Sequence, residues 1–422
     1  MIRNDLFFGG QLSPIKTVRG KIGVVMYSSD GSPLTPNSPK VSNGFPLKTT
    51  ILTRTEQLSK YEDDKFSITS AVSTASLKGE DRHSFCCSKK LMDSGVGVLF
   101  AGVFDGHDGE ECSEYCRVGI LPHIAKNYKR RVQGTEGGGV NVGGSEGGGG
   151  GGGDDKDESF EILKASMIEA FHEAQDSFEK FQDAPLLGGA KNAGTKTTAR
   201  PPSFLSRLLR CQCGPVKRRG GTTVNCLVVQ SLDDGEGVRV VVANCGDSRC
   251  ITDGGTGSLD VGGKLEFKNV SVDHRPDESS EKRRLRVAAN KGDVFVSNDH
   301  MKTIRLYPGG LAVSRTIGDV CLTSAAIATP DVYKVEINLT KEMPAQRFVL
   351  GTDGIFDSME TGEITKLIRE EEEKGGGRLD SKTLAKAVLA GCLIKCGCKD
   401  DMTVMVVDVE LKEGERQDAN RI

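Results

Sequence analysis

Three motifs in the sequence place an aspartate at the end of a strand-like apolar run. Asp105 follows GVLFAGVF, Asp353 follows RFVLGT, and the pair Asp400 and Asp401 comes just before MTVMVVDVE. Hard cations such as Mg²⁺ and Mn²⁺ prefer carboxylates, carbonyls and water, whereas zinc and copper favour sets of cysteine and histidine. The pattern therefore predicts an oxygen-ligand cation site, provided that the strand ends meet.

The glycine after Asp105 permits a sharp turn, so that the Asp105 carboxylate and the Gly106 carbonyl can face one ion. A plainer interpretation stays open for each motif taken alone, because Asp-Gly dipeptides are common turn signals. The occurrence of FDGHDG, GTDG and KDD in one chain, each against an apolar run, favours the cation site.

Composition limits the class of protein. The chain has 422 residues, 36% of them hydrophobic, and a formal charge of −3, so it can bury a sizeable core and lacks the basic excess of a nucleic-acid binder. No run reaches the roughly 18 apolar residues of a membrane span. The 13 scattered cysteines do not form paired CxxC motifs. We expect an intracellular protein, cytoplasmic or nuclear, with reduced thiols and no integral membrane association.

The elements that must position the aspartates can be read from hydrophobic periodicity. Apolar residues at three- and four-residue steps predict a helix over 159–181, and helical patterns recur over 362–374 and 380–395, with Asp380 or Ser381 as the N-cap. Short apolar runs predict buried strands at 222–229, 238–245, 347–353 and 402–410. Strands and helices in this mixed order indicate an α+β fold.

The chain also divides by composition. Residues 1–65 are rich in Ser, Pro, Lys and Thr and are expected to form a partly disordered N-terminal arm. One domain is predicted over 66–412, interrupted by flexible insertions at 134–157 and 185–219 and followed by a tail, 413–422. The insertions lie within the domain, because strand and helix patterns flank them.

Eight motifs in order resemble the metal-dependent type-2C serine/threonine protein phosphatases, in particular plant members of that family. They are GEDRHSF (79–85), VFDGHDG (103–109), GTTVNCLVV (221–229), VANCGDSRC (242–250), SVDHRPD (271–277), GGLAVSRTIGD (309–319), LGTDGIFD (350–357) and CKDDMTVMVV (398–407). The resemblance implies two central antiparallel β-sheets packed face to face and flanked by helices, an α-β-β-α sandwich with a metal centre at one edge.

The resemblance also implies roles for individual residues. Two Mg²⁺ or Mn²⁺ ions would be held by Asp105, the Gly106 carbonyl, Asp353 and Asp400, with His107 as the general acid. The positions of Glu80 and Asp81 match those that bind the ions through water. Asp247 matches a position that touches a third ion in some relatives, and a turn-stabilising role for it stays open.

The implied function is hydrolysis of phosphoserine and phosphothreonine in proteins by a metal-activated water. Phosphoproteins are the expected partners, the protein is expected to be a monomer, and no nucleic acid is expected to bind. The alternative is a catalytically weak or inactive scaffold, or a phosphate-sensing protein, that keeps the fold.

The sequence departs from the family pattern at three positions, and two of these departures, at Ser76 and Asp108, support that alternative. Ser76 stands where many relatives have a phosphate-binding arginine, and Lys78 offers a point charge of different geometry. Asp108 and Asp401 stand where glycine and asparagine are usual, and each adds a negative charge near the predicted site. Ser76 predicts weaker or differently oriented phosphate binding. The absence of tryptophan excludes a flap tryptophan, over 276–308, of the kind that engages hormone receptors in some plant relatives.

Overall fold

The computed structural model describes residues 22–27, 33–34, 50–62, 65–136, 155–183, 220–232, 237–254, 266–289, 295–298, 303–319, 322–337, 339–340 and 343–412. The strands are β1 (Ile22–Tyr27), β2 (Pro33–Leu34), β3 (Thr50–Glu62), β4 (Phe66–Ser76), β5 (Arg82–Cys86), β6 (Leu99–His107), β7 (Gly221–Ser231), β8 (Val238–Cys245), β9 (Arg249–Thr252), β10 (Lys268–Asn269), β11 (Phe295–Asn298), β12 (Ile304–Tyr307), β13 (Ile317–Gly318), β14 (Asp331–Ile337), β15 (Ala345–Gly351) and β16 (Met402–Leu411). The helices are α1 (Lys89–Asp93), α2 (Glu111–Glu136), α3 (Asp155–Asp183), α4 (Ser279–Ala289), α5 (Asp353–Phe356), α6 (Thr361–Gly375) and α7 (Ser381–Cys396).

Two antiparallel sheets dominate the described residues. The first sheet has the order β10-β9-β15-β16-β4-β3-β1-β2, and the second has the order β14-β8-β7-β6-β5, with β13 paired to β7. Strand β3 pairs with β4 along its length and in turn pairs with β1. The first sheet therefore begins before residue 66, where the sequence pattern placed the start of the domain.

A central core lies between the two sheets, because both sheets present apolar side chains to each other. In β16, Met405 and Val407 join this central core, whereas Val404 and Val406 face the helices on the outer side of the first sheet. In β6 the same alternation sends Phe100 to the opposite, helical side of the second sheet. A strand that is apolar on both faces is buried on both faces, as the continuous apolar runs indicated.

Helices cover the outer face of each sheet. Helices α2 and α3 pack on the second sheet, and α5, α6 and α7 pack on the first. The predicted α+β sandwich, with layers in the order α-β-β-α, is confirmed. No helix in the described ranges is long and apolar enough to cross a membrane.

The predicted elements agree well with the observed ones. Helix α3 includes the predicted 159–181, and Asp380 is the N-cap of α7, since its carboxylate accepts hydrogen bonds from the backbone amides of Lys382 and Thr383. Helix α2 continues to Glu136 and α3 starts at Asp155, so both ends of the predicted 134–157 insertion are helical. Residues 137–154, 184–219 and 413–422 lie outside the described residues.

A buried carboxylate fastens α4 to the loop that follows β12. Glu281 is 1% exposed and accepts hydrogen bonds from Arg315 at 2.8 Å, Arg284 at 2.7 Å and Ser314 at 2.7 Å. Burial raises the pKa of Glu281, but these donors outweigh it and lower the pKa to about 2. Arg315 also donates to Asp331 of β14, so the network joins the helix, the loop and the second sheet.

We expect Glu281→Gln to remove a pH-dependent part of the stability. The folded pKa lies below the unfolded value, so the ionised carboxylate stabilises the fold above about pH 4.5, and this contribution is lost as the pH falls towards 2. It amounts to roughly 3 kcal/mol at neutral pH. Urea unfolding of wild type, Glu281→Gln and the exposed control Glu373→Gln between pH 7 and pH 2.5 measures it. If the difference in free energy of unfolding between wild type and Glu281→Gln does not decrease as the pH falls, the stabilising role of the ionised Glu281 carboxylate is contradicted.

Candidate active site

The end of β6 brings Asp105 and Gly106 to the edge where the two sheets meet. Asp105 lies opposite Thr223 of β7, and the Thr222 hydroxyl donates to the Asp105 carbonyl at 3.0 Å. A Cβ on Gly106 would lie 2.7 Å from the Glu80 carbonyl oxygen and 2.8 Å from Ser113 Oγ. Only glycine fits there, so the chain can pass close to the β4–β5 loop.

Asp353 approaches Asp105 from the other sheet. It is the first residue of α5, directly after β15, and it lies close enough to Asp105 for the charge of Asp353 to act on the Asp105 carboxyl group. Burial raises the pKa of both carboxyl groups, and mutual repulsion raises that of Asp105 further. Two neighbouring buried carboxylates are unfavourable when both are ionised, so a proton or a cation is needed to offset their charge.

Asp81 is the third carboxylate of the cluster. Its Oδ2 accepts hydrogen bonds from the hydroxyls of Thr352 at 2.9 Å and Thr403 at 2.8 Å, while its Oδ1 is buried without a hydrogen-bond partner. Desolvation, together with the nearby charge of Asp401, raises the pKa of Asp81 to about 8. An orphaned buried oxygen of this kind needs a water or a cation beside it.

Asp401 holds the β4–β5 loop in place. Its carboxylate accepts four backbone N–H bonds, from Leu77 at 2.5 Å, Lys78 at 2.7 Å, Glu80 at 2.6 Å and Asp81 at 3.2 Å. Burial raises the pKa of Asp401, but these four donors lower it overall. The charge that Asp401 adds near the predicted site is therefore used to position the backbone of this loop.

The Glu80 side chain contacts the loop that follows β6. Its Oε1 accepts a hydrogen bond from the Gly109 amide at 2.8 Å, and its carbonyl accepts one from the Ser113 hydroxyl at 2.6 Å. Glu80 thus fixes the turn that follows His107, and its contact with ions through water stays a prediction.

Asp400 is engaged by a lysine. Lys78 Nζ lies 2.7 Å from both carboxylate oxygens of Asp400. In the part of the chain that the structure describes, no three acidic, histidine or cysteine side chains lie at spacings that would hold one ion. Asp105 and Asp353 are together, whereas Asp400 is paired with Lys78, and the assignment of the metal ligands stays a prediction.

The donor set fits a hard divalent cation. It consists of carboxylate and carbonyl oxygens, it includes the orphaned Oδ1 of Asp81, and burial makes its ionised form unfavourable without a counter-charge. Asp105, Asp353 and the Gly106 carbonyl would be the nearest ligands, and Asp400 would join them on release from Lys78.

His107 is paired with Asp319, the last residue of the GGLAVSRTIGD motif. The distance between His107 Nε2 and Asp319 Oδ2 is 2.5 Å, and Asp319 is 2% exposed. Burial lowers the pKa of His107, but the charge and hydrogen bond of Asp319, with Asp108 and Asp247, raise it overall. Asp319 therefore favours the protonated imidazole, and it contacts the ring through Nε2.

Gly221 makes this pairing possible. A Cβ at Gly221 would lie 2.6 Å from His107 Nε2 and would overlap Asp319 Oδ2. Asp319 itself has a φ of 56°, in the left-handed region that aspartate tolerates better than most residues. Residues of the GTTVNCLVV and GGLAVSRTIGD motifs thus meet at His107.

Asp108 occupies a backbone position suited to glycine. Its φ is 56°, its side chain is exposed, and no direct contact connects it to the carboxylate cluster among the described contacts. Its charge is one of those that raise the pKa of His107. Asp108 therefore acts on the imidazole electrostatically.

Asp247 forms an ion pair with an arginine, Arg275. It is 3% exposed, its Oδ2 lies 3.1 Å from Arg275 Nε, and Arg275 also donates to Asp357 at 2.7 Å. Desolvation and repulsion from Asp353 nevertheless raise the pKa of Asp247 to about 7. Both uses considered for Asp247, ion ligand and structural aspartate, remain compatible with this position.

Ser76 opens onto a cavity of about 300 Å³ behind the β4–β5 loop. Asp81, Arg82, His83 and Arg117 also line it, and the two arginines are tied to Glu114. Desolvation and the neighbouring arginines lower the pKa of His83 to about 4, so His83 is neutral at physiological pH. No guanidinium stands at position 76 itself.

Two residues of the site were underrated by sequence reasoning. Asp319 lay in a recognised motif, but its partner His107 is 212 positions away, and only the pairing of β13 with β7 brings them together. Lys78 was considered as a point charge for phosphate, and its contact with Asp400 spans 322 positions.

Comparison with known proteins places this geometry in a family. The family model described as "Protein phosphatase 2C" matches residues 159–402, more than half of the chain. That span includes Asp247, Asp353 and Asp400, whereas Asp105 and His107 precede it. "Protein phosphatase 2C 50" of Oryza sativa subsp. japonica is 28% identical over 324 residues, covering 73% of this chain and 68% of the relative.

Other relatives align over shorter spans. "Probable protein phosphatase 2C 3" and "Probable protein phosphatase 2C 33" of Oryza sativa subsp. japonica are 31% and 32% identical over 193 residues, so the chain spans only 34% and 38% of their lengths. The serine-threonine phosphatase 2C from Toxoplasma gondii has a similar fold, with a TM-score of 0.54 at 18% identity over 85% of this chain and 99% of that chain. The fold, the ordered motifs and the family match together establish that this chain belongs to the protein phosphatase 2C family.

Proposed function

We propose that this protein is a metal-dependent protein-serine/threonine phosphatase that hydrolyses phosphoserine and phosphothreonine. The observation that carries the proposal is the convergence, at one edge of the sandwich, of the Asp105–Asp353 pair with a histidine fixed by a buried carboxylate. The names of the relatives support the same reaction.

Two Mg²⁺ or Mn²⁺ ions are the proposed cofactors, held by Asp105, the Gly106 carbonyl, Asp353 and Asp400, with Glu80 and Asp81 contacting them through water. When bound, such ions supply an activated water and offset negative charge on the phosphoryl group. The protein's own part is to keep the carboxylates at fixed separations. The hydrogen bonds that Asp81 accepts from Thr352 and Thr403, and those that Asp401 accepts from the β4–β5 loop, serve that purpose.

His107 is the proposed general acid. A serine or threonine alkoxide leaves poorly unless it is protonated as the bond to phosphorus breaks. Asp319 holds the imidazole through Nε2 and favours its protonated form, which leaves the proton on Nδ1 for the leaving oxygen. Asp319 is therefore a positioning residue, and His107 is the catalytic one.

One observation favours the alternative of a weakly active or inactive scaffold. Asp400, one of the proposed ligands, is already paired with Lys78. Phosphatase activity in the presence of added metal distinguishes an active phosphatase from an inactive scaffold.

We also propose an intracellular location, in the cytoplasm or nucleus, and a monomeric state. The described cysteines are all free thiols, which suits a reducing compartment.

Metal-dependent hydrolysis of a phosphothreonine peptide tests the proposed function. We expect wild type to release phosphate with added Mn²⁺ or Mg²⁺ and to lose activity with a chelator. Asp353→Asn should reduce kcat by at least about a hundredfold, because it removes charge where phosphoryl transfer needs a cation. The matched control Asp93→Asn, on exposed α1, should behave like wild type. Phosphate release by wild type no greater than by Asp353→Asn would establish the scaffold instead.

Asp319→Asn should lower kcat on the phosphothreonine peptide by about a hundredfold with little change in KM. The readout specific to proton donation is the leaving group. p-Nitrophenyl phosphate releases a far more acidic alcohol, so its hydrolysis should fall much less. Gly221→Ala, which displaces His107 from Asp319, should show the same selectivity. Equal losses on both substrates would assign Asp319 a purely structural role.

Ser76→Arg should lower KM for the phosphothreonine peptide several-fold, because a guanidinium can bind the phosphoryl group with two parallel hydrogen bonds. Ser76→Gln controls for side-chain size without charge. If KM and kcat/KM are the same in wild type and Ser76→Arg, the predicted weakness of phosphate binding is wrong.

A further inference from the structure

The contact between Lys78 and Asp400 uses the whole Asp400 carboxylate. Lys78 Nζ lies 2.7 Å from Oδ1 and 2.7 Å from Oδ2, so the ammonium sits astride both oxygens. Oδ1 also accepts the Asp401 amide at 2.8 Å. A cation that binds Asp400 from the side of Asp353 must therefore take at least one oxygen from Lys78.

Hydrogen bonds of the Lys78 backbone position this residue beside Asp400. The Lys78 amide donates to Asp401 Oδ1 at 2.7 Å, and the neighbouring amides of Leu77 and Glu80 donate to the same carboxylate. The two adjacent aspartates thus have different roles. Asp401 fixes the main chain of the loop, and Asp400 forms an ion pair with the Lys78 ammonium. The juxtaposition is built by the fold and does not depend on a freely moving surface lysine.

We infer that Lys78 is an internal counter-ion of Asp400 that a divalent cation must displace, and that it weakens the affinity of the site for that cation. The inference rests on the proposed function, because it takes Asp400 as an ion ligand. Binding then exchanges one positive charge on Asp400 for another. The displaced ammonium remains near the ion and repels it.

The expected effect is moderate. The side chains of Lys78 and Asp400 are 47% and 39% exposed, and ion pairs with that much access to water contribute at most about 1 kcal/mol. That free energy corresponds to a factor of about five in affinity, so we expect Lys78→Met to bind Mn²⁺ about two- to fivefold more tightly than wild type. Methionine keeps the length of the side chain and removes its charge.

The test is Mn²⁺ binding to the full chain, followed by calorimetry and by electron paramagnetic resonance of free Mn²⁺, with no substrate present. Wild type is compared with Lys78→Met, with the second neutral variant Lys78→Gln, and with Lys78→Arg, which keeps the charge. Lys395→Met is the matched control, since Lys395 forms an exposed pair with Glu363 on the adjacent helices. Both neutral variants should bind more tightly, whereas Lys78→Arg and Lys395→Met should not.

A double-mutant cycle separates displacement from general repulsion. In an Asp400→Asn background, Lys78→Met should give much less tightening than in wild type, because the partner that Lys78 occupies is gone. An equal gain in both backgrounds overturns the exchange, and so does unchanged affinity of Lys78→Met in a wild-type background that binds Mn²⁺. If wild type itself binds no Mn²⁺, the proposed metal centre fails and takes this inference with it.

Discussion

The four backbone hydrogen bonds to the Asp401 carboxylate are the constraint on which the rest of the site depends. They connect the start of β16 to the loop between β4 and β5, which belong to different sheets, and so hold the sandwich together at one edge. Glu80, Asp81 and Lys78 all leave from that loop. A carboxylate that accepts four amide hydrogen bonds is stable in its ionised form. The negative charge of Asp401 therefore fixes the backbone of the β4–β5 loop.

The site divides between the two sheets. The first sheet supplies Asp353 and Asp400 at the ends of β15 and β16, and the second supplies Asp105 and His107 at the end of β6. Repulsion between Asp105 and Asp353 opposes this junction. Buried threonine hydroxyls and the close approach at Gly106 hold it closed, and a cation between the sheets would relieve the repulsion. Cation binding at this place would therefore be coupled to the docking of the two sheets.

Local patterns predicted much of this arrangement. The apolar runs that became β7, β8, β15 and β16 are buried on both faces, and the N-cap Asp380 has the local signature of its role. Strand β3 was missed because its sequence, TILTRTEQLSKYE, is largely polar and owes its conformation to pairing with β4. The motif resemblance identified His107, but not Asp319 as its partner. Contacts such as His107–Asp319 and Lys78–Asp400 depend on strand order and register, which no local pattern encodes.

The central claim is that the carboxylates at the junction of the two sheets bind divalent cations. Anomalous diffraction at the manganese edge, from crystals of the full chain grown with Mn²⁺, tests it most directly. The account predicts two peaks between Asp105 and Asp353, with Asp400 turned from Lys78 towards one of them. Mn²⁺-saturated crystals that show no peak there, with Lys78 still on Asp400, would contradict it.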